Sequence, residues 1–224
     1  MVRSSPRRRQ AGFSFIEILV VLSIIAVLAS MVVMVVPFIR EKAKRTKSVD
    51  NVRQMIQFYI GSGVGLEKAW PGYNGKDFVL WLVATNKISR DDNDSLAILF
   101  SPGDQNYTLE NAGGKAAFKD LTKAMLGTGN QNLLKLTSYA GRRNREREHI
   151  LSSSEQQKNG IILCDDDDGD LHHKDGLVCG FVSGSAKFLE WSDLDMSPPD
   201  AKDPKGMLGD NSPNEQLKHM SSGN

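Results

Sequence analysis

Three kinds of hydrophobic spacing follow one another along the chain. From Ile18 to Val36 no position is charged, and Ser23 and Ser30 are the only polar interruptions. Those 19 residues make about 28 Å of α-helix, close to the roughly 30 Å of a bilayer's hydrocarbon core. After Phe38 the pattern changes. Val49, Val52, Ile56 and Tyr59 recur at three-to-four spacing with charges between them, as in a helix with one buried face. Gly61, Gly63 and Gly65 then end it. The spacing therefore predicts a single helix from about Phe13 to Tyr59, apolar all round in its first half and amphipathic in its second.

Beyond Leu66 the periodic segments are short. Lys76–Asn86 (KDFVLWLVATN) predicts a short buried helix, and Ser95–Phe100 a strand ended by Ser101-Pro102-Gly103. Lys115–Leu126 puts Ala117, Leu121, Ala124 and Met125 on one side and predicts a second amphipathic helix. Leu134–Ala140 predicts a strand. Gly160–Cys164, Leu177–Val182 and Ala186–Trp191 predict three more, the last two joined by the tight turn Ser183-Gly184-Ser185. Gly141–Glu148 (GRRNRERE) reads as a solvated loop, its arginines diluted by two glutamates. From Ser197 onward Pro, Asp, Gly, Ser and Asn dominate, and residues 197–224 are expected to be a disordered tail.

Composition adds limits. Without the first helix and the tail, a chain of 224 residues keeps enough for one modest core. A net charge of +1 gives no bulk attraction to nucleic acid, which is an unlikely partner. Arg7, Arg8 and Arg9 precede the apolar run; Arg40, Lys42, Lys44, Arg45 and Lys47 follow it. Basic residues on both sides silence the usual charge signal for membrane orientation. The second group is expected to be a solvated helix face at the outer lipid surface.

Glu17 is the anomaly, because a carboxylate near the bilayer centre costs about 2.5–3.5 kcal/mol on insertion scales. A cleaved secretory signal cut between Ala29 and Ser30 leaves Met31–Val36 as an unusually apolar new terminus. A plain membrane anchor leaves Glu17 unexplained.

Gly12-Phe13-Ser14-Phe15-Ile16-Glu17 resembles the leader junction of type IV prepilins. The resemblance implies a basic cytoplasmic leader, Met1–Gly12, removed by a membrane prepilin peptidase, and N-methylation of the new terminus Phe13. It implies a pilin-like α+β fold: a long N-terminal helix, half membrane-embedded and half packed, with a small antiparallel-sheet head. The layout expected is leader 1–12, membrane-spanning helix 13–38, soluble half of the helix 39–60, head 61–196 and tail 197–224. The resemblance implies a head outside the cytoplasmic membrane. The role implied is structural, not enzymatic: a pseudopilin of a type II secretion-like system, with a type IV pilus subunit or a membrane-anchored binding module as alternatives. Partners implied are the lipid bilayer, an inner-membrane assembly platform, and further pilin-like subunits including copies of this chain. Glu17 then acts in assembly, its carboxylate pairing with the Phe13 amine of a neighbour. Pilins often carry a helix-softening proline; Pro37 lies further along than usual.

Near the C-terminus, His173 is followed by nine residues and then Ser183-Gly184, with AKFLE after it. This resembles the H-X9-DG element of prepilin-like proteins, Ser183 standing where that motif has Asp. A serine hydroxyl can fold back onto the turn backbone, and Gly184 is expected to need positive φ. Between the predicted strands lies CDDDDGDLHH. Asp166, Asp168 and Asp170 are candidate Ca2+ ligands; a solvated acidic turn is the other reading. Zinc at His172 and His173 is disfavoured, because neighbouring side chains on a strand point oppositely. Cys164 and Cys179 are the only cysteines, and both a cross-strand disulfide and two buried thiols stay open. No nucleophile elbow, phosphate loop or HExxH occurs.

Overall fold

A computed structural model describes residues 13–61, 70–143, 160–165, 172–196, 208, 210, 212 and 214–220. The chain divides into two compact units, residues 1–40 and 41–224. Helix α1 (Phe15–Ile60) runs for 46 residues, with Pro37 inside it.

Among the described residues the side chains of α1 in the first unit are exposed, with Val36 intermediate, and its most apolar 18-residue window has a mean hydropathy of 3.1 with none of it buried. That helix is long and apolar enough to cross a membrane.

In the second unit α1 buries a stripe of Ser48, Asn51, Val52, Met55, Ile56 and Tyr59, the spacing expected of one helix face. Each fully buried apolar member contributes about 1.5–3 kcal/mol. Helices α2 (Gly75–Ala84) and α3 (Asn93–Ala97) follow, then a four-stranded antiparallel sheet in the order β1 (Tyr139–Gly141), β2 (Ile161–Asp165), β3 (Gly176–Phe181), β4 (Ala186–Glu190).

The sheet is covered on both faces. Ile162, Leu163, Val178 and Ala186 pack into the main core with α1 and α2. Ala140, Ile161, Cys164, Leu177 and Cys179 face a second cluster with Trp191, Leu194, Leu208, Leu217 and Met220. A register irregularity between Ile161 and Leu163 puts Ile162 and Leu163 in the same core, as a bulge does. Gly180 lets α1 lie directly on β3: a Cβ there would meet Ile56 Cδ1 at 2.0 Å and Val52 Cγ1 at 2.7 Å.

Several expectations hold closely. α2 matches the helix predicted at Lys76–Asn86, and β2, β3 and β4 match the three predicted strands to within one or two residues. At the β3–β4 turn Gly184 has φ +86°, its N–H donates to Phe181 O at 2.9 Å, and Phe181 N–H donates to Ser185 O at 2.9 Å. The Ser183 hydroxyl meets the Ser185 hydroxyl at 2.9 Å, a side-chain contact where a backbone one was expected.

Four expectations are corrected. The segment read as a strand at Ser95–Phe100 begins inside α3, because Asp92 caps that helix by accepting from Asp94 N at 3.2 Å and Ser95 N at 2.9 Å. The amphipathic helix expected at Lys115–Leu126 is two 3-10 turns, Gly114–Phe118 and Lys123–Met125. Thr122 is extended between them; Phe118, Leu121 and Leu126 reach the core, while Ala117 and Ala124 are exposed. Leu134–Leu136 lie in a 3-10 turn (Gln131–Leu136), leaving only β1 from the strand predicted at Leu134–Ala140. Finally, the tail expected to be disordered is in part packed. Asn214 Oδ1 accepts from Gln216 N at 2.9 Å and Leu217 N at 3.2 Å, starting a 3-10 turn at Leu217–His219. His219 O accepts from Arg143 N at 2.9 Å, beside the bridge between Arg142 and Met220. Leu208, Leu217 and Met220 supply the apolar area that holds a polar segment on the sheet.

Candidate functional site

Polar chemistry gathers at two places, one in each unit. The first is the start of α1. Ser14 precedes the first helical residue, and its backbone N–H donates to Glu17 Oε2 at 2.7 Å. This is half of a capping box: a glutamate in the first turn satisfies an N–H that has no partner within the helix. Its negative charge also sits where the helix dipole favours one. The spacing Ser14-x-x-Glu17 is the signal that sequence reasoning passed over. Phe13, Glu17, Ile18, Val21 and Leu22 line one shallow groove, and Phe13 is 86% exposed. The hydroxyls of Ser23 and Ser30 donate to Val20 O at 2.8 Å and Val27 O at 2.7 Å, so the apolar run satisfies its own polar groups. Gly12 and the leader lie outside the described residues.

The second is a knot of buried polar groups in the head. Asp165, at the end of β2, accepts from Val178 N through Oδ2 at 2.9 Å. Its Oδ1 lies 3.4 Å from His172 Nδ1, and its Oδ2 lies 3.8 Å from His173 Nε2. His172 Nε2 pairs with Asp104 Oδ2 at 3.1 Å. Asp104 Oδ1 in turn accepts from Asn106 N at 2.8 Å and Tyr107 N at 2.9 Å. His173 Nδ1 meets Glu41 Oε1 at 3.1 Å and its Nε2 meets Ser48 Oγ at 3.1 Å; Ser48 Oγ meets Ser101 Oγ at 3.0 Å. Arg45 pairs with Glu41 at 3.5 Å and with Asp175, and its guanidinium lies 4.6 Å from the Phe188 ring centroid.

Electrostatics follow from this geometry. Burial pushes the His172 imidazole toward neutrality, but Asp104 and Asp165 on either side overcome it and raise its pKa to about 10. Burial likewise opposes ionisation of Asp104, and the His172 partner holds that carboxyl below its ordinary range. His172 is thus an imidazolium clamped between two carboxylates.

The knot therefore binds the β2–β3 segment to α1 and to the Ser101–Tyr107 loop. His173, singled out by its spacing to the Ser183-Gly184 turn, is a buried fastening to α1. Ser48, His173 and Glu41 have the order of a nucleophile, base and acid. Ser48 is fully buried, however, and shares its hydroxyl with Ser101, so substrate has no approach to it in this conformation. Among the described residues no group of three or more His, Cys, Asp or Glu side chains is arranged to hold a metal ion. The calcium candidates Asp166, Asp168 and Asp170 lie outside the described residues. Cys164 and Cys179 face each other across β2 and β3, both fully buried and both thiols in this structure.

Comparison with known proteins bears on the first site. Residues 7–33 match the family model described as the prokaryotic N-terminal methylation motif. No curated protein and no solved structure matches the chain. The motif, the long apolar start of α1 and the small antiparallel sheet together support a type IV pilin-like protein anchored by a single membrane pass.

Proposed function

We propose that this chain is a pilin-like structural subunit, cut between Gly12 and Phe13, methylated on the Phe13 amine, and assembled into a filament through the apolar half of α1. The observation that carries the reading is the coincidence of the methylation motif at residues 7–33 with a helix whose large apolar side chains from Phe15 to Ile39, Val36 excepted, are exposed among the described residues. Lipid can cover that surface before assembly, and the same half of neighbouring subunits after it. Glu17 sits on the groove lined by Phe13, within reach of an incoming amine. Pairing a terminal amine with a carboxylate removes the cost of carrying either into an apolar bundle, and it fixes the stagger between subunits.

Within this class we read the chain as a pseudopilin of a type II secretion-like system, its head outside the cytoplasmic membrane and its filament short. The partners are a prepilin peptidase, an inner-membrane assembly platform and other pilin-like subunits. A type IV pilus subunit shares every feature named here, and electron microscopy of native cells separates the two: long surface fibres labelled by an antibody to the head would replace the pseudopilin reading.

Processing is tested by intact-mass measurement on protein from native membranes. The expected chain lacks Met1–Gly12 and carries one added methyl on Phe13. A mature chain starting at Ser30 overturns the proposal.

A further inference from the structure

We propose that Cys164 and Cys179 form a cross-strand disulfide that closes during folding and is then sealed beneath Leu208, Leu217 and Met220.

The backbone pattern identifies the pair. Arg142 N donates to Ile162 O at 3.1 Å, and Ala140 opposes Cys164 two residues further along the same ladder. The N–H and C=O of Cys164 therefore point toward β1. On the other side Phe181 N donates to Ser185 O at 2.9 Å, and Cys179 opposes Lys187 two residues along. The backbone groups of Cys179 point toward β4. Neither cysteine directs its backbone at the other, so their register pair is of the non-hydrogen-bonded kind. Such pairs bring Cα atoms to about 4.5 Å with side chains close, inside the range of about 4.4–6.8 Å that disulfides span. Both side chains lie in the second cluster, whereas the flanking Leu163 and Val178 lie in the main core, so the two sulfurs share one face.

The same surroundings fix when the bond can form. Oxidation needs one thiolate to attack an oxidant's disulfide, giving a mixed disulfide that the second thiolate resolves; two protein thiols become one disulfide and the oxidant leaves as two thiols. In the folded head, burial and the nearby Asp165 charge push the Cys179 thiol far above its ordinary pKa, so thiolate is scarce. Leu208, Leu217 and Met220 pack in the same cluster as the two cysteines. Exchange is therefore open while the strands are pairing and closed afterwards, for oxidant and reductant alike. An oxidising compartment for the head rests on the placement argued under Proposed function.

The experiment uses the full chain in detergent. Unfolded protein is refolded with a reduced and oxidised glutathione couple, alkylated after denaturation, and weighed. The expected product takes up no alkyl group and yields one peptide pair joined through Cys164 and Cys179. The oxidised chain should melt on the order of 10 °C above the reduced chain. A Cys164→Ser/Cys179→Ser chain should melt with the reduced form, and if it fails to fold the oxidised-against-reduced comparison stands alone. Uptake of two alkyl groups overturns the bridge. For the seal, dithiothreitol should reduce folded Leu217→Ala protein about tenfold or more faster than the unaltered chain, and equal rates overturn it. Protein taken from native membranes should arrive oxidised. A dithiol there, beside a clean bridge after refolding, overturns the native disulfide and assigns the failure to the placement of the head.

Discussion

The start of α1 and the polar knot of the head both set carboxylates among apolar side chains, and they treat them differently. Among the described residues Glu17 is met by the Ser14 N–H, on a stretch of helix whose side chains are exposed. Asp165 has a backbone N–H and two imidazoles, all buried. A carboxylate met by several partners belongs to a structure that is already complete. One met by a single N–H keeps most of its acceptor capacity, and that suits a surface which finishes its contacts with another molecule. The difference fits the proposed division, folding in the head and assembly through the helix, and mutations can test it.

The largest effect is expected at the knot. Asp165→Ala leaves His172 short of one carboxylate and Val178 N without its acceptor, so thermal unfolding should show a loss of about 3–5 kcal/mol. A loss below about 1 kcal/mol would mean that the knot is not what holds β2–β3 to α1. Gly180→Ala comes next, at roughly 1–3 kcal/mol, because the added methyl meets Ile56 and Val52 where the helix lies on β3. Gly184→Val should cost about 1 kcal/mol or more, as a β-branched residue takes on φ +86°. Both follow from melting curves at neutral pH.

The pH dependence has a fixed sign. His172 holds its proton in the folded head to about pH 10 and loses it near 6.5 when unfolded. Its contribution is thus full below pH 6.5 and is lost as pH rises toward 10. Asp104 has the reverse behaviour: its contribution is present above about pH 3.8 and is lost as pH falls through its lower folded value. Replacing His172 by Gln should flatten the alkaline fall in melting temperature between pH 7 and 10, and an unchanged fall would assign it to other groups. The smallest effect on stability belongs to Glu17→Leu, which should leave the melting of the head unchanged while crosslinked multimers disappear from native membranes. Multimers equal to those of the unaltered chain would break the assignment of Glu17 to assembly.

What the sequence made legible was local. Alternating apolar residues with a Gly-containing turn were enough for β2, β3, β4 and Gly184, and three-to-four spacing was enough for α1 and α2. Lys115–Leu126 misled because its small residues fit a helical stripe, although Ala117 and Ala124 bury nothing. The tail misled because three apolar residues among many polar ones suffice when a sheet face lies open to receive them. Of the knot only one end was legible: His172 and His173 stood out beside the acidic run, but Glu41 and His173 are 132 residues apart, and neither carries a local mark of the other. At the first site Gly12, Phe13 and Glu17 stood out by spacing, and residues 7–33 match a family model.

The direct seating of α1 on Gly180 has a consequence in time. Ile56 is synthesised early, and the glycine it packs against follows 124 residues later. At about 5–20 residues per second, the apolar stripe of α1 waits roughly 6–25 s for its sheet. Throughout that interval Val52, Met55, Ile56 and Tyr59 lack their sheet, on a chain that the proposed membrane pass would hold by its N-terminal end. The head's native contacts span long separations, so its closure is slow relative to helix formation. The vulnerable species in the life of this protein is therefore the half-made chain, a helix with a bare stripe, and a holding chaperone should engage it there.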